Sequence, residues 1–113
     1  MKVVQDKSKK FAIRIINLYK FLVNAKKEKI MSSQILRSGT SVGANIAEGD
    51  YASSKPDFIN KHQIALKEAS ETRYWLGLLY ETEYLSKEQY DSLYEDIEEI
   101  IKILTSILNK SKT

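Results

Sequence analysis

Apolar residues recur at steps of three and four in four separate stretches of this chain, and each stretch predicts an amphipathic helix. The first runs from about Ser8 to Ala25. Phe11, Ile15, Leu18 and Leu22 mark its inner row, and Ala12, Ile16, Tyr19 and Val23 adjoin it to make one wide apolar face; Lys10, Arg14, Asn17 and Asn24 lie opposite. The second runs from about Ser32 to Tyr51, with Ile35, Gly39, Val42, Ile46 and Gly49 in a narrow sector and Ser38, Ser41, Asn45 and Glu48 in a polar row beside it. The third follows the turn-like stretch Ala52–Lys55, capped by Ser54 with Pro56 in its first turn. It continues to about Tyr84 along a seam of His62, Ala65, Ala69, Thr72, Leu76 and Leu79, flanked by a mixed row of Ile64, Glu68, Glu71, Trp75 and Leu78. The fourth opens at Ser86, which has capping-box spacing to Gln89. Its stripe is Tyr90, Leu93, Ile97, Ile100, Leu104 and Ile107, and the polar tail Asn109–Thr113 is expected to fray.

Four helices of about twenty residues with short links predict an all-α, antiparallel up-down four-helix bundle. At 113 residues the chain suits one domain, 1–113. One proline and four glycines are too few for the turns of an all-β protein. The chain has no cysteine, so disulfides and cysteine zinc sites are excluded and a reducing compartment is implied. No segment approaches the ~20 apolar residues of a membrane span, and the N-terminus has no apolar signal core. A cytoplasmic protein with no membrane partner is expected.

The net charge of +3 hides an asymmetry. Residues 1–30 carry nine Lys/Arg against Asp6 and Glu28; residues 81–113 carry four Lys against eight acids. Lys7, Lys9, Lys10, Arg14, Lys26, Lys27 and Lys29 are therefore candidates for contacting nucleic-acid phosphates, which give salt-sensitive affinity with little sequence preference. The competing reading places the basic first helix beside the acidic last one within the fold.

Signals for catalysis are sparse. The single histidine, His62, falls on a core seam, and neither paired Glu-x-x-His motifs nor His-Glu-x-x-His spacing occurs, so no metal or other cofactor is expected. The glycines of residues 38–43 lack the Gly-Lys-Ser/Thr ending of a phosphate loop. Glu68 and Glu71 on a largely apolar row need partners. Arg37, Arg73, Ser41 and Asn45 are the candidates, forming a structural network rather than an acid–base pair. Tyr74, Trp75, Tyr80, Tyr84, Tyr90 and Tyr94 gather near the third–fourth junction, where aromatic rings serve packing or base stacking.

From Ser38 to Ala47 the second helix carries no charge, which predicts enclosure on most sides, including cover from a neighbouring chain. Gly39, Gly43 and Ala47, spaced by four, predict close helix approach.

The run Gln34-Ile-Leu-Arg-Ser-Gly-Thr-Ser-Val-Gly-Ala-Asn-Ile-Ala-Glu-Gly49 resembles the signature of a bacterial four-helix-bundle family first noticed within intervening sequences of large-subunit ribosomal RNA genes. The run Ile64-Ala-Leu-Lys-Glu-Ala-Ser-Glu-Thr-Arg-Tyr-Trp-Leu76 looks like that family's third-helix segment. The resemblance covers nearly the whole chain. It implies a ring-like homopentamer without known enzymatic activity. A related accessory protein of diversity-generating retroelements binds nucleic acid and a reverse transcriptase through a basic pentameric barrel. The signature positions here are Arg37, Ser41, Asn45, Glu48, Gly49, Glu68 and Glu71. With Gly39, Gly43, Arg73 and Trp75 they are read as structural and assembly residues. The expected partners are copies of the chain itself, then RNA or DNA, with a protein-interaction adaptor as the alternative and an enzyme built on Glu68, Glu71 and His62 last.

Overall fold

A computed structural model describes residues 2–111. Four helices follow in order: α1 Lys2–Asn24, α2 Ile30–Gly49, α3 Lys55–Glu81 and α4 Lys87–Ser111. α1 packs on α2 and α4, and α3 does the same, so the four form a closed ring around one core in a body 45 × 21 × 19 Å. The contacts across each pair run in opposite senses. Gly39 faces Ile15 while Gly43 faces Ser8, and Ser38 meets Thr72 while Glu48 meets Lys61. Arg14 meets Asp96 while Lys7 meets Glu99. Each neighbouring pair is antiparallel, the up-down bundle expected.

α1 starts six residues before the expected Ser8. Val4 is buried and extends the inner row to Val4, Ser8, Phe11, Ile15, Leu18 and Leu22, so the core rewards helix back to the N-terminal end despite the intervening charges. The adjoining row is less covered than its apolarity suggested: Ala12, Tyr19 and Val23 are half-buried and Ile16 is exposed. α2 stops at Gly49, two residues short, leaving the Tyr51 side chain 92% exposed. α4 stays helical through Asn109–Ser111, where fraying was expected, because Leu104 and Leu108 still reach the core; Lys112 and Thr113 lie outside the described residues.

The helix ends follow local chemistry. Ser54 Oγ accepts from the Asp57 amide at 3.2 Å. Ser86 and Gln89 exchange the two bonds of a capping box at 2.8 and 3.1 Å. α3 closes with the Tyr84 amide donating to the Leu79 carbonyl and the Glu83 amide to that of Tyr80, a Schellman end in which Glu83, at φ 69°, holds the left-handed position usually given to glycine.

Candidate functional site

The basic segment divides in two. Lys7 Nζ lies 2.5 Å from Glu99 on α4, and the hydrogen bond to that carboxylate raises the ammonium's pKa. Arg14 reaches Asp96 at 2.5 Å and Ser92 Oγ at 2.9 Å. These two candidate phosphate ligands are thus engaged by the acidic helix. Lys9, Lys10, Lys26, Lys27 and Lys29 remain exposed, and none of them forms an ion pair with another described residue. Three of the five sit in the turn between α1 and α2, where Lys27 takes a left-handed φ of 57°.

The same turn holds a residue that charge counting passed over. Glu28 is 8% exposed, and its carboxylate accepts from three backbone amides, those of Ile30 and Met31 at 3.1 Å and Ser32 at 2.8 Å. It does the work of an N-cap for α2 although the N-cap position itself is Lys29, whose side chain caps nothing. One acid among lysines just before a helix start was the available signal.

On the face shared by α2 and α3, Arg37 lies 3.4 Å from both oxygens of Glu68 and is bonded to Glu71, which also accepts from Trp75 Nε1 at 3.0 Å. The other expected partners are elsewhere. Arg73 reaches across to Glu98 on α4 at 2.5 Å, a bond that raises its pKa. Ser41 Oγ donates to the Arg37 carbonyl and Asn45 Nδ2 to the Ser41 carbonyl, one turn back along their own helix. Short polar side chains find that carbonyl without crossing a gap. Glu48 continues the face by pairing with Lys61 at 3.1 Å. Exposed pairs of this kind contribute up to about 1 kcal/mol each, so they set register more than stability.

His62 belongs to neither group. It is fully buried, its ring packed on Phe58 at a tilt of 33° with centroids 4.1 Å apart and Nδ1 donating to the Phe58 carbonyl at 2.8 Å. Its neighbour across the helix pair is Gly49. The fold therefore brings Glu68 and Glu71 together with Arg37 and Trp75, and places His62 apart from them. Of the six aromatics expected to gather, three form one group: Tyr80 and Tyr90 stack at 4.6 Å, with Tyr94 5.4 Å from Tyr90, and burial raises the Tyr90 pKa. Tyr74 and Trp75 meet edge-on as a separate pair at 5.2 Å.

The charge-free part of α2 is only partly enclosed within the chain. Val42 and Ile46 are fully buried. Ala44 and Ala47 are exposed, with Thr40 and Gly43 half-buried between them and α1. Gly39 meets Ile15 closely, since an added Cβ would lie 2.9 Å from Ile15 Cγ2. At Gly43 the nearest atom would be Ser8 Oγ at 3.4 Å, ordinary contact, so close approach is tight at one glycine and relaxed at the next. Between α1 and this stretch runs a groove of about 700 Å³, lined by Ser8, Lys9, Ala12, Gly43, Ala47 and Tyr51 among others. Among the described residues no helix is long and apolar enough to cross a membrane.

Comparison with known proteins agrees with this architecture. A family model described as 23S rRNA-intervening sequence protein matches residues 2–106. A crystal structure of a protein of unknown function from the S23 ribosomal protein family of Bacteroides thetaiotaomicron superposes with a TM-score of 0.95, at 63% identity over 96% of each chain. No curated protein matches the chain.

Proposed function

The chain belongs to the 23S rRNA-intervening sequence protein family, and from that premise we propose that it is a non-enzymatic, cytoplasmic bundle that assembles with its own copies and holds RNA or DNA phosphates at the α1–α2 turn. The observation carrying the phosphate role is the division of the basic segment: α4 engages Lys7 and Arg14, while Lys26, Lys27 and Lys29 stand together and exposed without an acidic partner. Three lysines close together in one turn, with no ion-pair partner among the described residues, favour a polyanion. Self-association rests on the small uncharged residues Ala12, Gly43, Ala44 and Ala47 of the groove, which Asp6, Lys9 and Asp50 also line; those small residues suit a packed contact better than water. A ring of five is the count that the resemblance implies.

Two results test this. In mobility-shift titrations with single-stranded RNA, the triple variant Lys26→Ala, Lys27→Ala, Lys29→Ala is expected to bind at least tenfold more weakly at low salt. The slope of log affinity against log salt should fall by about 2, roughly 0.7 per lost phosphate contact. If the wild-type chain binds neither RNA nor DNA at low salt, the phosphate role is wrong. In light scattering, Ala47→Glu should reduce the assembly to single chains with helix content retained, because position 47 is exposed in the chain and a buried, unpaired charge at a contact is costly. A variant that keeps its assembled mass would move the interface elsewhere.

A further inference from the structure

Phe21 is a large aromatic side chain that the bundle leaves 38% exposed. Its neighbours Leu18 and Leu22 take the core positions, and Phe21 projects one step aside, toward the N-terminal part of α4. There it forms the shared wall of two adjoining hollows. One, of about 660 Å³, includes Lys26, Tyr80 and Tyr84; the other, of about 300 Å³, includes Asn17 and Leu93; Gln89 lines both. These sizes fall in the range of small-ligand sites, about 300–1,000 Å³.

We propose that Phe21, with the carboxamides of Asn17 and Gln89, forms a stacking subsite for one unpaired nucleobase. The inference rests on the nucleic-acid reading above and assigns it a base-binding element. The exposed ring supplies a flat apolar face of the kind on which bases stack. Lys26 Nζ lies over this ring, 5.8 Å from its centroid; a base stacking on that face displaces the ammonium toward a neighbouring phosphate. That lysine leads directly into Lys27 and Lys29, which would carry the phosphates on either side. Gln89 Oε1 is already used by the Ser86 amide at 2.8 Å. This bond orients the carboxamide and leaves its NH₂ hydrogens for an acceptor on the base edge. Asn17 is exposed and offers both donor and acceptor. Glu81 and Glu83 line the far side of the larger hollow. They repel phosphate there, so the nucleic-acid backbone runs along the α1 side with the base pointing inward. A duplex presents no free base face, so the occupant is single-stranded.

The test compares the wild-type chain with Phe21→Leu, which keeps apolar bulk without an aromatic face, and Phe21→Trp, which keeps the face. The probes are a fluorescein-labelled ten-nucleotide single-stranded RNA and the duplex of the same sequence. Phe21→Leu should bind the single strand about tenfold more weakly, with its salt dependence and its duplex affinity unchanged, while Phe21→Trp binds as the wild type does. Circular dichroism checks that both variants hold the fold. Equal single-strand affinity for Phe21→Leu and wild type overturns the subsite and leaves the phosphate role standing. Equal losses for single strand and duplex overturn it as well. A wild-type chain that binds neither probe removes both readings together.

Discussion

Gly49→Ala is expected to destabilise the protein by about 2 kcal/mol and to lower its melting temperature by about 10 °C. A Cβ at this position would lie 2.5 Å from His62 Cε1 and 2.8 Å from its Nδ1. The ring cannot step aside cheaply. It is fully buried, packed on Phe58 and tied by Nδ1 to the Phe58 carbonyl. Moving it breaks a hydrogen bond in the core or pushes α2 and α3 apart. Alanine's higher helix propensity offsets about 1 kcal/mol of the clash and does not reverse it. Gly77 supplies an internal control on α3. Its added Cβ would meet nothing nearer than Glu81 Oε2 at 3.9 Å, so Gly77→Ala should stabilise by roughly 0.5–1 kcal/mol. Urea and thermal melts of the two variants should move in opposite directions. A Gly49→Ala protein as stable as the wild type would mean that the helices are not in van der Waals contact at this point.

The second large effect is expected at Glu28. Its carboxylate satisfies three of the backbone donors that open α2, and one of them, Ser32 N, is in a buried residue. Hydrogen bonds to a charged acceptor contribute more than neutral ones, and a lost cap costs about 0.5–2 kcal/mol. Glu28→Ala strands all three donors and should cost about 2–3 kcal/mol. No other acid stands in the first turn of α2 to take over. Glu28→Gln retains one accepting oxygen and loses the charge opposite the helix dipole, so roughly half the loss is expected. Urea denaturation gives the totals. Hydrogen exchange localises them, with the amides of Ile30, Met31 and Ser32 losing protection first. Unchanged stability in Glu28→Ala would show that water caps the helix as well as the carboxylate does.

These two sites show where sequence reading reaches its limit. Gly49 lies within the apolar stripe of the second helix, and its burial is legible from spacing alone. That its small size is required follows only from the ring across the gap. Glu28 contributes one negative charge to a basic segment when counted, yet it acts through geometry. The lysines behave likewise: nine cations in the first thirty residues are visible at once, but which of them α4 engages depends on how α1 and α4 are aligned. Arg37 and Arg73 were equally placed to serve Glu68 and Glu71. The structure gives both acids to Arg37 and sends Arg73 to Glu98.

The number of helices, the innermost row of each and the two capping motifs at Ser54 and Ser86 were determined by the sequence; the start of α1 at Lys2 and the exposure of its second row were not. Periodicity and capping are properties of one helix and its ends, set by residues within a few positions of one another. Tertiary structure alone decided the partner of each charged side chain, the fit of His62 against Gly49 and the exposure of Phe21 and Ile16. Those depend on the register and spacing between helices, where a shift of one turn, about 5.4 Å, exchanges every long-range partner while leaving every local pattern intact.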